Sequence, residues 1–276
     1  MLGQQPEVLT ASANGAVVSQ LLGQVAASVQ AQANAAAAAG VAQAVAAGKA
    51  PAGTVAPTVV VKTSDVVPLA PSDPRGTGLV AAAFPLVMGG MIGGIAVSLL
   101  VTGVWRRLVT VLVYSAVAGV GVAAIMQGWF GILQGNFVAN AAAAALSLLA
   151  TGALIVGANA LLGTIGIPVG AVITMFIGNP MSSAAQPIQF MPGSWGAIGQ
   201  FFVPGSSATL LRDLSYFPDA NAAGAWLVLA GWAVAGMVLM FAGHFRNQEV
   251  VHLGHALEPA HEAAAAPQAK HVVGVP

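Results

Sequence analysis

Charged side chains are nearly absent from this sequence. Its 276 residues include eight Lys and Arg and eight Asp and Glu, which is 6% of the chain, whereas 57% is hydrophobic. Soluble domains average roughly a quarter charged residues. The whole stretch 108–211 contains no Asp, Glu, Lys or Arg. This composition excludes an ordinary water-soluble domain and predicts a membrane protein whose main partner is the lipid bilayer.

Cysteine is absent, and the formal net charge is zero. Without cysteine the chain has no disulfide framework, no thiol nucleophile and no thiolate metal site. Nucleic-acid binding depends on Lys and Arg that neutralise phosphates, and the sparse, balanced charge offers no basic cluster. The sequence therefore predicts no nucleic-acid partner.

Motifs for catalysis and energy conversion are lacking as well. The only Gly-Lys pair, Gly48-Lys49, has neither the leading Gly nor the hydroxyl residue of a phosphate-binding loop. The apolar segments hold no ionisable residue of the kind that couples a carrier to protons or ions. Serines near the fifth span and His244 lack a nucleophile context, so an intramembrane hydrolase is a remote alternative. We predict no enzymatic activity, no cofactor and no metal site.

Five apolar segments approach the 20 or so residues that a helix needs to cross a bilayer core of roughly 30 Å. They predict an all-α polytopic fold with an extracytoplasmic N-terminal region (1–78), a transmembrane domain (79–243) and a disordered cytoplasmic tail (244–276). The fourth segment is the shortest, and we expect it to enter the bilayer with little tilt or only partway. The predicted spans are 79–101, 108–133, 137–162, 165–181 and 222–243.

The N-terminal region is predicted to contain one helix and one strand. Val18, Leu22, Val25 and Val29 recur at helical spacing, which predicts an amphipathic helix that reaches Ala47. Residues 58–67 are rich in β-branched side chains and flanked by prolines, which favours a strand.

Residues 182–221, between the last two predicted spans, favour a re-entrant or interfacial hairpin over a flexible loop. Pro187, Pro192 and Pro204 prevent a long helix. The segment also carries aromatic side chains typical of the headgroup level: Trp195, Phe201, Phe202, Tyr216 and Phe217. We expect Ser206 or Ser207 to cap a short helix. Arg212 and Asp213 on that helix are predicted to face water.

Small residues recur at the four-residue spacing that lets membrane helices approach closely. Two such pairs overlap in the first span and a third lies in the fourth: Gly89 with Gly93, Gly90 with Gly94, and Gly166 with Gly170. These glycines predict helix contacts, either within one chain or between two copies through the first span.

Arginines set the predicted orientation. Arg106 and Arg107 follow the first span and Arg246 follows the fifth. With five spans these two positions lie on the same side of the membrane, which the positive-inside rule makes cytoplasmic, and the N-terminal region lies outside. Arg75 and Arg212 oppose this assignment. The N-terminal region must then cross the membrane without a signal segment, so we expect a further helix upstream of Met1.

Several short motifs have a familiar pattern. They are IGNPMSSAAQP at 177–187, MPG at 191–193, VPG at 203–205, LRDLSYF at 211–217, TSDVVP at 63–68, DPRG at 73–76 and TASANG at 10–15. Together they resemble permeases of the type 2 ATP-binding-cassette exporter superfamily, in its phage-infection-protein-like branch. The external-loop positions that carry this resemblance are Asn179, Pro180, Ser182, Pro187, Pro192, Gly193, Pro204, Gly205, Arg212, Tyr216 and Phe217.

The resemblance implies a permease subunit, a homodimer or heterodimer in the plasma membrane, that exports a hydrophobic or amphiphilic compound or an envelope component. A separate ATP-binding-cassette ATPase would supply the energy. Trp105, Arg106 and Arg107 are the candidate docking residues for that ATPase, although the arginines could serve orientation alone. The alternative function is a non-transporting membrane scaffold or receptor.

Overall fold

Helices account for most of the chain in the computed structural model, which describes residues 6–246. The N-terminal region contains β1 (Glu7–Thr10), α1 (Ala16–Ala46) and β2 (Lys62–Asp65). The rest contains α2 (Thr77–Leu100), α3 (Val104–Ala123), α4 (Phe137–Leu162), α5 (Gly166–Ala171), α6 (Trp195–Gly199), α7 (Val203–Tyr216) and α8 (Ala223–Phe245). π-helical segments extend α3 (Ala124–Trp129) and α5 (Val172–Gly178). Residues 247–276, most of the predicted tail, lie outside the described range.

Four helical stretches in the described range are long and apolar enough to cross a membrane: Thr77–Leu100, Val104–Trp129, Phe137–Gly178 and Ala223–Phe245. This confirms the prediction of an all-α polytopic membrane protein. The second stretch begins at Val104 instead of residue 108, so Arg106 and Arg107 belong to the first turns of a helix and not to a loop.

The predicted fourth span, 165–181, enters the bilayer core only partway, which is one of the two outcomes expected for this shortest segment. α4 ends before Gly163, whose φ of 70° is a backbone conformation that glycine adopts without steric cost. Beyond this turn Gly166 lies against Ala158, and Gly170 lies against Ile155. A straight helix would separate residues 155 and 170 by about 22 Å, so the chain reverses at Gly163. α5 and its π-helical extension then run back along α4 for about 20 Å, roughly two-thirds of a bilayer core.

α4 is the central helix, and Ala, Gly, Ser and Thr on several of its sides let neighbouring helices approach closely. All its residues from 150 to 160 are buried, as expected for a helix without a polar face. α2 and α8 run parallel to α4: Gly90 and Gly94 of α2 contact Thr151 and Gly152, while Gly236 and Gly243 of α8 contact Ala153 and Ala160. α3 packs antiparallel to α4, with Gly119 against Ala145.

The N-terminal region is a β-α-β unit in which β1 and β2 pair in parallel, Glu7 opposite Lys62. The predicted strand is therefore shorter than 58–67, and its partner β1 was not predicted. The Ser64 hydroxyl and the Lys62 ammonium, 3.4 Å from the Glu7 carboxylate, hold the pKa of Glu7 below its ordinary value.

The predicted apolar face of α1 is only half right. Val18 and Leu22 are partly buried, but Val25 and Val29 are 49% and 37% exposed. Gln30 and Asn34 face the extended segment before β2 instead, because their amide oxygens accept hydrogen bonds from the Val61 and Val59 backbone N–H groups. An extended backbone segment needs acceptors as well as apolar contacts, which hydrophobic spacing does not record.

Candidate functional site

The most unusual feature of the transmembrane domain is a break in its backbone near mid-depth. The helical segment that begins at Gly166 ends at Gly178, and the chain continues to Trp195 without α-helix or strand. Gly178 lies against Phe202 and Pro204, so the end of one half-helix meets the start of another, α7. Irregular backbone at membrane depth is tolerated only inside protein or beside a water-filled cavity.

The depth of this junction follows from α4. The Ser207 hydroxyl, in the second turn of α7, donates a hydrogen bond of 2.8 Å to the Ser147 hydroxyl of α4. Ser147 lies about 15 Å along α4 from its first residue, which is half of a 30 Å core. α7 therefore starts near the bilayer centre and rises to the surface that carries the N-terminal region. We call that surface the N-terminal face.

α7 confirms a short helix at this place in the chain but corrects its predicted details. Phe202 occupies the N-cap position and Pro204 lies in the first turn. Ser206 and Ser207 are not caps; they are buried inside the helix and bond to the Gln200 carbonyl and to Ser147. Arg212, predicted to face water, is half-buried, and its Nη2 donates to the Ala184 carbonyl oxygen at 2.9 Å.

The external-loop positions singled out in the sequence extend from this junction, where Pro204 lies, to the N-terminal face, where Pro187 lies against Gly15 and Tyr216 bonds to Ala70. Buried members are Ser182, Pro187, Pro204, Gly205 and Tyr216, while Asn179, Pro180, Pro192 and Gly193 are exposed. Phe217 is half-buried and ends α7. Gly205 is required by its close approach to the Gly199 backbone, since a Cβ there would lie under 3.0 Å from it.

Ser183 carries backbone strain at the same place. Among the described residues it is the only one other than glycine with a positive φ, 52°. Its side chain is 7% exposed, and its hydroxyl has no hydrogen-bond partner in the described part of the chain. Strained residues of this kind concentrate at functional sites, although the sequence motif alone does not distinguish Ser183 from Ser182.

Two adjoining cavities separate α2 from residues 179–186. The upper cavity, about 270 Å³, lies at the N-terminal face and includes Arg75, Leu79 and Arg212 in its lining. The lower cavity, about 430 Å³, extends between the second and third turns of α2 and Asn179, Pro180 and Ser183. Val80, Ala184 and Ala185 line both, so they form one groove.

Tyr216, the last residue of α7, ties the end of this helix to the N-terminal region. Its hydroxyl donates to the Ile132 carbonyl oxygen at 2.7 Å and accepts from the Ala70 N–H at 3.5 Å. We expect Tyr216→Phe to lower the free energy of unfolding by about 1 kcal/mol and to speed amide hydrogen exchange at Ala70. Unchanged exchange at Ala70 would show that the tyrosine does not hold the N-terminal region.

The three predicted docking residues do not share one exposed surface. Trp105 is 67% exposed and packs edge-on against Phe241, with ring centroids 5.3 Å apart. Arg106 is exposed beside it. Arg107 is 2% exposed, and its Nε and Nη2 donate to the carbonyl oxygens of Val101 and Ser98 at 2.7 Å. Arg107 therefore caps the end of α2 and offers no surface to a partner.

The glycine pairs lie at contacts within this chain. Gly90 and Gly94 face α4, Gly89 and Gly93 face Leu148 and Tyr114, and the third pair, Gly166 and Gly170, faces α4. A second copy cannot use the glycine face of α2, because α3 and α4 already fill it. The sequence analysis did not predict the contact between α4 and α8, where Gly157 lies against Gly236. The seven-residue spacing between Gly236 and Gly243 was the feature in the sequence that could have indicated this contact.

Comparisons with known proteins identify no relative. No protein-family model, no curated protein and no solved structure matches this chain.

Proposed function

We propose that this chain is the membrane-spanning permease subunit of an ATP-driven exporter, of the type that its external-loop motifs resemble. The observation that carries the proposal is the junction of two half-helices near the bilayer centre, Gly178 against Phe202 and Pro204. Discontinuous helices at the midplane form the substrate sites of many secondary transporters, and the same arrangement would suit a substrate path here. The cargo is a hydrophobic or amphiphilic compound or a component of the cell envelope.

The distribution of charge supports an external source of energy. Within the described spans, the only ionisable groups other than tyrosines are Arg106, Arg107 and His244, all at the helix ends opposite the N-terminal face. A carrier driven by protons or ions would need an ionisable group deeper in the membrane, and the sequence has no nucleotide-binding loop. The absence of such groups in the described spans supports an ATP-binding-cassette ATPase as the partner that supplies the energy.

In the proposed orientation the N-terminal face lies outside the cell and the opposite face is cytoplasmic. The exposed Trp105 and Arg106 then project where an ATPase would dock, next to an open surface depression of about 460 Å³ bounded also by Val101 and Val109. A second permease copy would bind through another helix face, and the outer side of α3 is available, since Val113 and Val117 are 56% and 68% exposed.

Co-purification with an ATPase encoded next to this chain tests the proposal. We expect the double variant Trp105→Ala, Arg106→Gln to reduce the recovered ATPase about tenfold, because exposed Trp and Arg are the side chains that most often dominate interfaces. The matched control is Trp129→Ala with Lys49→Gln, an exposed tryptophan and an exposed lysine at or near the N-terminal face.

The control should leave ATPase recovery unchanged. Equal recovery with both double variants would reject docking at this end of α3. Failure of the unaltered chain to bind any such ATPase would reject the permease function itself.

The second candidate, a membrane scaffold or receptor, is favoured by one observation. Within residues 6–246 the parallel pair of β1 and β2 has no further strand, and α1 leaves Leu21 and Val25 about half exposed. Parallel sheets are normally covered on both faces, so this region offers binding surface. A scaffold predicts binding of an external ligand by residues 6–76 without any ATPase.

A further inference from the structure

We infer that the groove between α2 and residues 179–186 binds a membrane amphiphile with an anionic headgroup. The view that this amphiphile is the exported cargo rests on the proposed permease function. Binding of the amphiphile depends only on the groove, and the experiment below measures binding.

The first argument is the polarity of the groove along its length. The ionisable residues that line the upper cavity are two arginines, Arg75 and Arg212, and no ionisable residue lines the lower cavity. Val80, Ala83 and Phe84 form one wall of the lower part. A cationic end at the membrane surface and an apolar channel beneath it match a lipid with a negative head.

The second argument is that the arginines retain free hydrogen-bonding capacity. Neither forms an ion pair within the described range, and the Nε of Arg212 is buried without a hydrogen-bond partner there. The nearby Asp73 carboxylate is occupied by the Thr77 hydroxyl and the Leu79 N–H. Asp213, the next residue in α7, partly offsets the charge of Arg212 but forms no ion pair with it.

The third argument comes from Ser183 in the lower cavity. Its buried hydroxyl has no partner among the described residues, and the strained backbone at φ 52° holds it in this position. A buried donor without an acceptor destabilises the ligand-free protein. Rotation of the Ser183 side chain toward the cavity that it lines would let the hydroxyl donate to an ester or phosphate oxygen of a bound lipid, just below its headgroup.

The position of Phe84 explains how a lipid would enter. This side chain is 61% exposed, and it lies about 10 Å along α2 from the helix start at Thr77. At that depth the surroundings are acyl chains, so the groove is open laterally to the leaflet on the N-terminal face. A lipid headgroup can then reach Arg75 and Arg212 without leaving the membrane surface.

Native mass spectrometry of the full-length protein tests this binding directly. The probes are phosphatidylglycerol and phosphatidylcholine with identical acyl chains, offered in equal amounts, and glycerol phosphate as an anion without chains. We expect phosphatidylglycerol to be retained over phosphatidylcholine, and Arg75→Gln or Arg212→Gln to lower that retention about tenfold, the effect of one lost charge-assisted hydrogen bond.

Two further variants separate head and chain. Ala81→Trp, at an exposed position lining the lower cavity, should reduce retention of phosphatidylglycerol by filling the channel, whereas Ala116→Trp on the exposed side of α3 should not. Arg106→Gln, on the opposite membrane face, is the control for charge. If Arg212→Gln does not fold, the exposed Arg75 carries the test alone.

Equal retention of the two lipids would overturn the inference, as would an equal loss with Arg106→Gln. Retention of glycerol phosphate as strong as that of phosphatidylglycerol would mean that the site holds a free anion and not a lipid. Because no ATPase is present, these outcomes are independent of the docking experiment.

Discussion

Replacement of Gly236 by leucine is expected to abolish the native packing of the transmembrane bundle. A Cβ at this position would lie under 3.0 Å from the backbone of Ala153 and Leu154 in α4, and no flexible side chain is there to move aside. Overpacking a core usually costs about 1–3 kcal/mol, and here the obstacle is backbone, so we expect a loss of at least 3 kcal/mol. Gly236→Ala should already be destabilising.

Gly231→Leu is the matched control for this experiment. Gly231 lies in the same helix, but nothing lies within 4 Å of its Cβ position. Hydropathy rises equally in the two variants, so membrane insertion is not the difference between them. Unfolding in mixed micelles with increasing dodecyl sulfate, followed by circular dichroism, should separate them; similar midpoints would contradict the parallel packing of α4 and α8.

Hydropathy predicted the crossing helices well because their length in the bilayer is dictated by apolar residues alone. It also placed a boundary at 163–164, between the third and fourth predicted spans, where Gly163 adopts φ 70° and the chain turns back. The predicted fourth span runs to 181, whereas the π-helical extension of α5 ends at Gly178, beside the start of α7. A count of apolar residues cannot detect that a separate helix, α7, continues the path from there to the N-terminal face.

The sequence predicted the candidate site in outline, but it left open whether the hairpin enters the membrane or lies at its surface. Prolines and aromatic residues indicated a hairpin before the last span, and α6 and α7 lie there. Its position near the bilayer centre depends on the Ser207 contact with Ser147, sixty residues earlier in the chain. Contacts over such separations leave no periodic pattern in the sequence, and neither do the cavities that they enclose.

Arg107 illustrates why a charged residue can be misjudged from its position in a sequence. Beside Arg106 at the end of an apolar segment, it matches both a topological signal and a docking residue. In the folded chain its guanidinium instead satisfies carbonyl oxygens that the end of α2 leaves without partners. A positive charge at a helix C-terminus also interacts favourably with the helix dipole.

Arg107→Met is therefore expected to destabilise the protein by about 3 kcal/mol, since hydrogen bonds from a charged donor contribute roughly 1.5–3 kcal/mol each and the Val101 and Ser98 carbonyls would be left buried. Arg107→Lys should recover part of this loss, because an ammonium can reach one carbonyl but lacks the guanidinium fork. The exposed Arg106 gives the matched variant, Arg106→Met, with an expected change under about 0.5 kcal/mol.

Both variants remove one positive charge from the same end of α3, so any effect on membrane orientation is common to them. Measuring unfolding and ATPase co-purification together distinguishes the roles of the two arginines. We expect Arg107→Met to shift unfolding and Arg106→Met to weaken ATPase recovery. The opposite result, an Arg107→Met protein that is stable but no longer recovers the ATPase, would show that Arg107 docks the ATPase and does not cap α2.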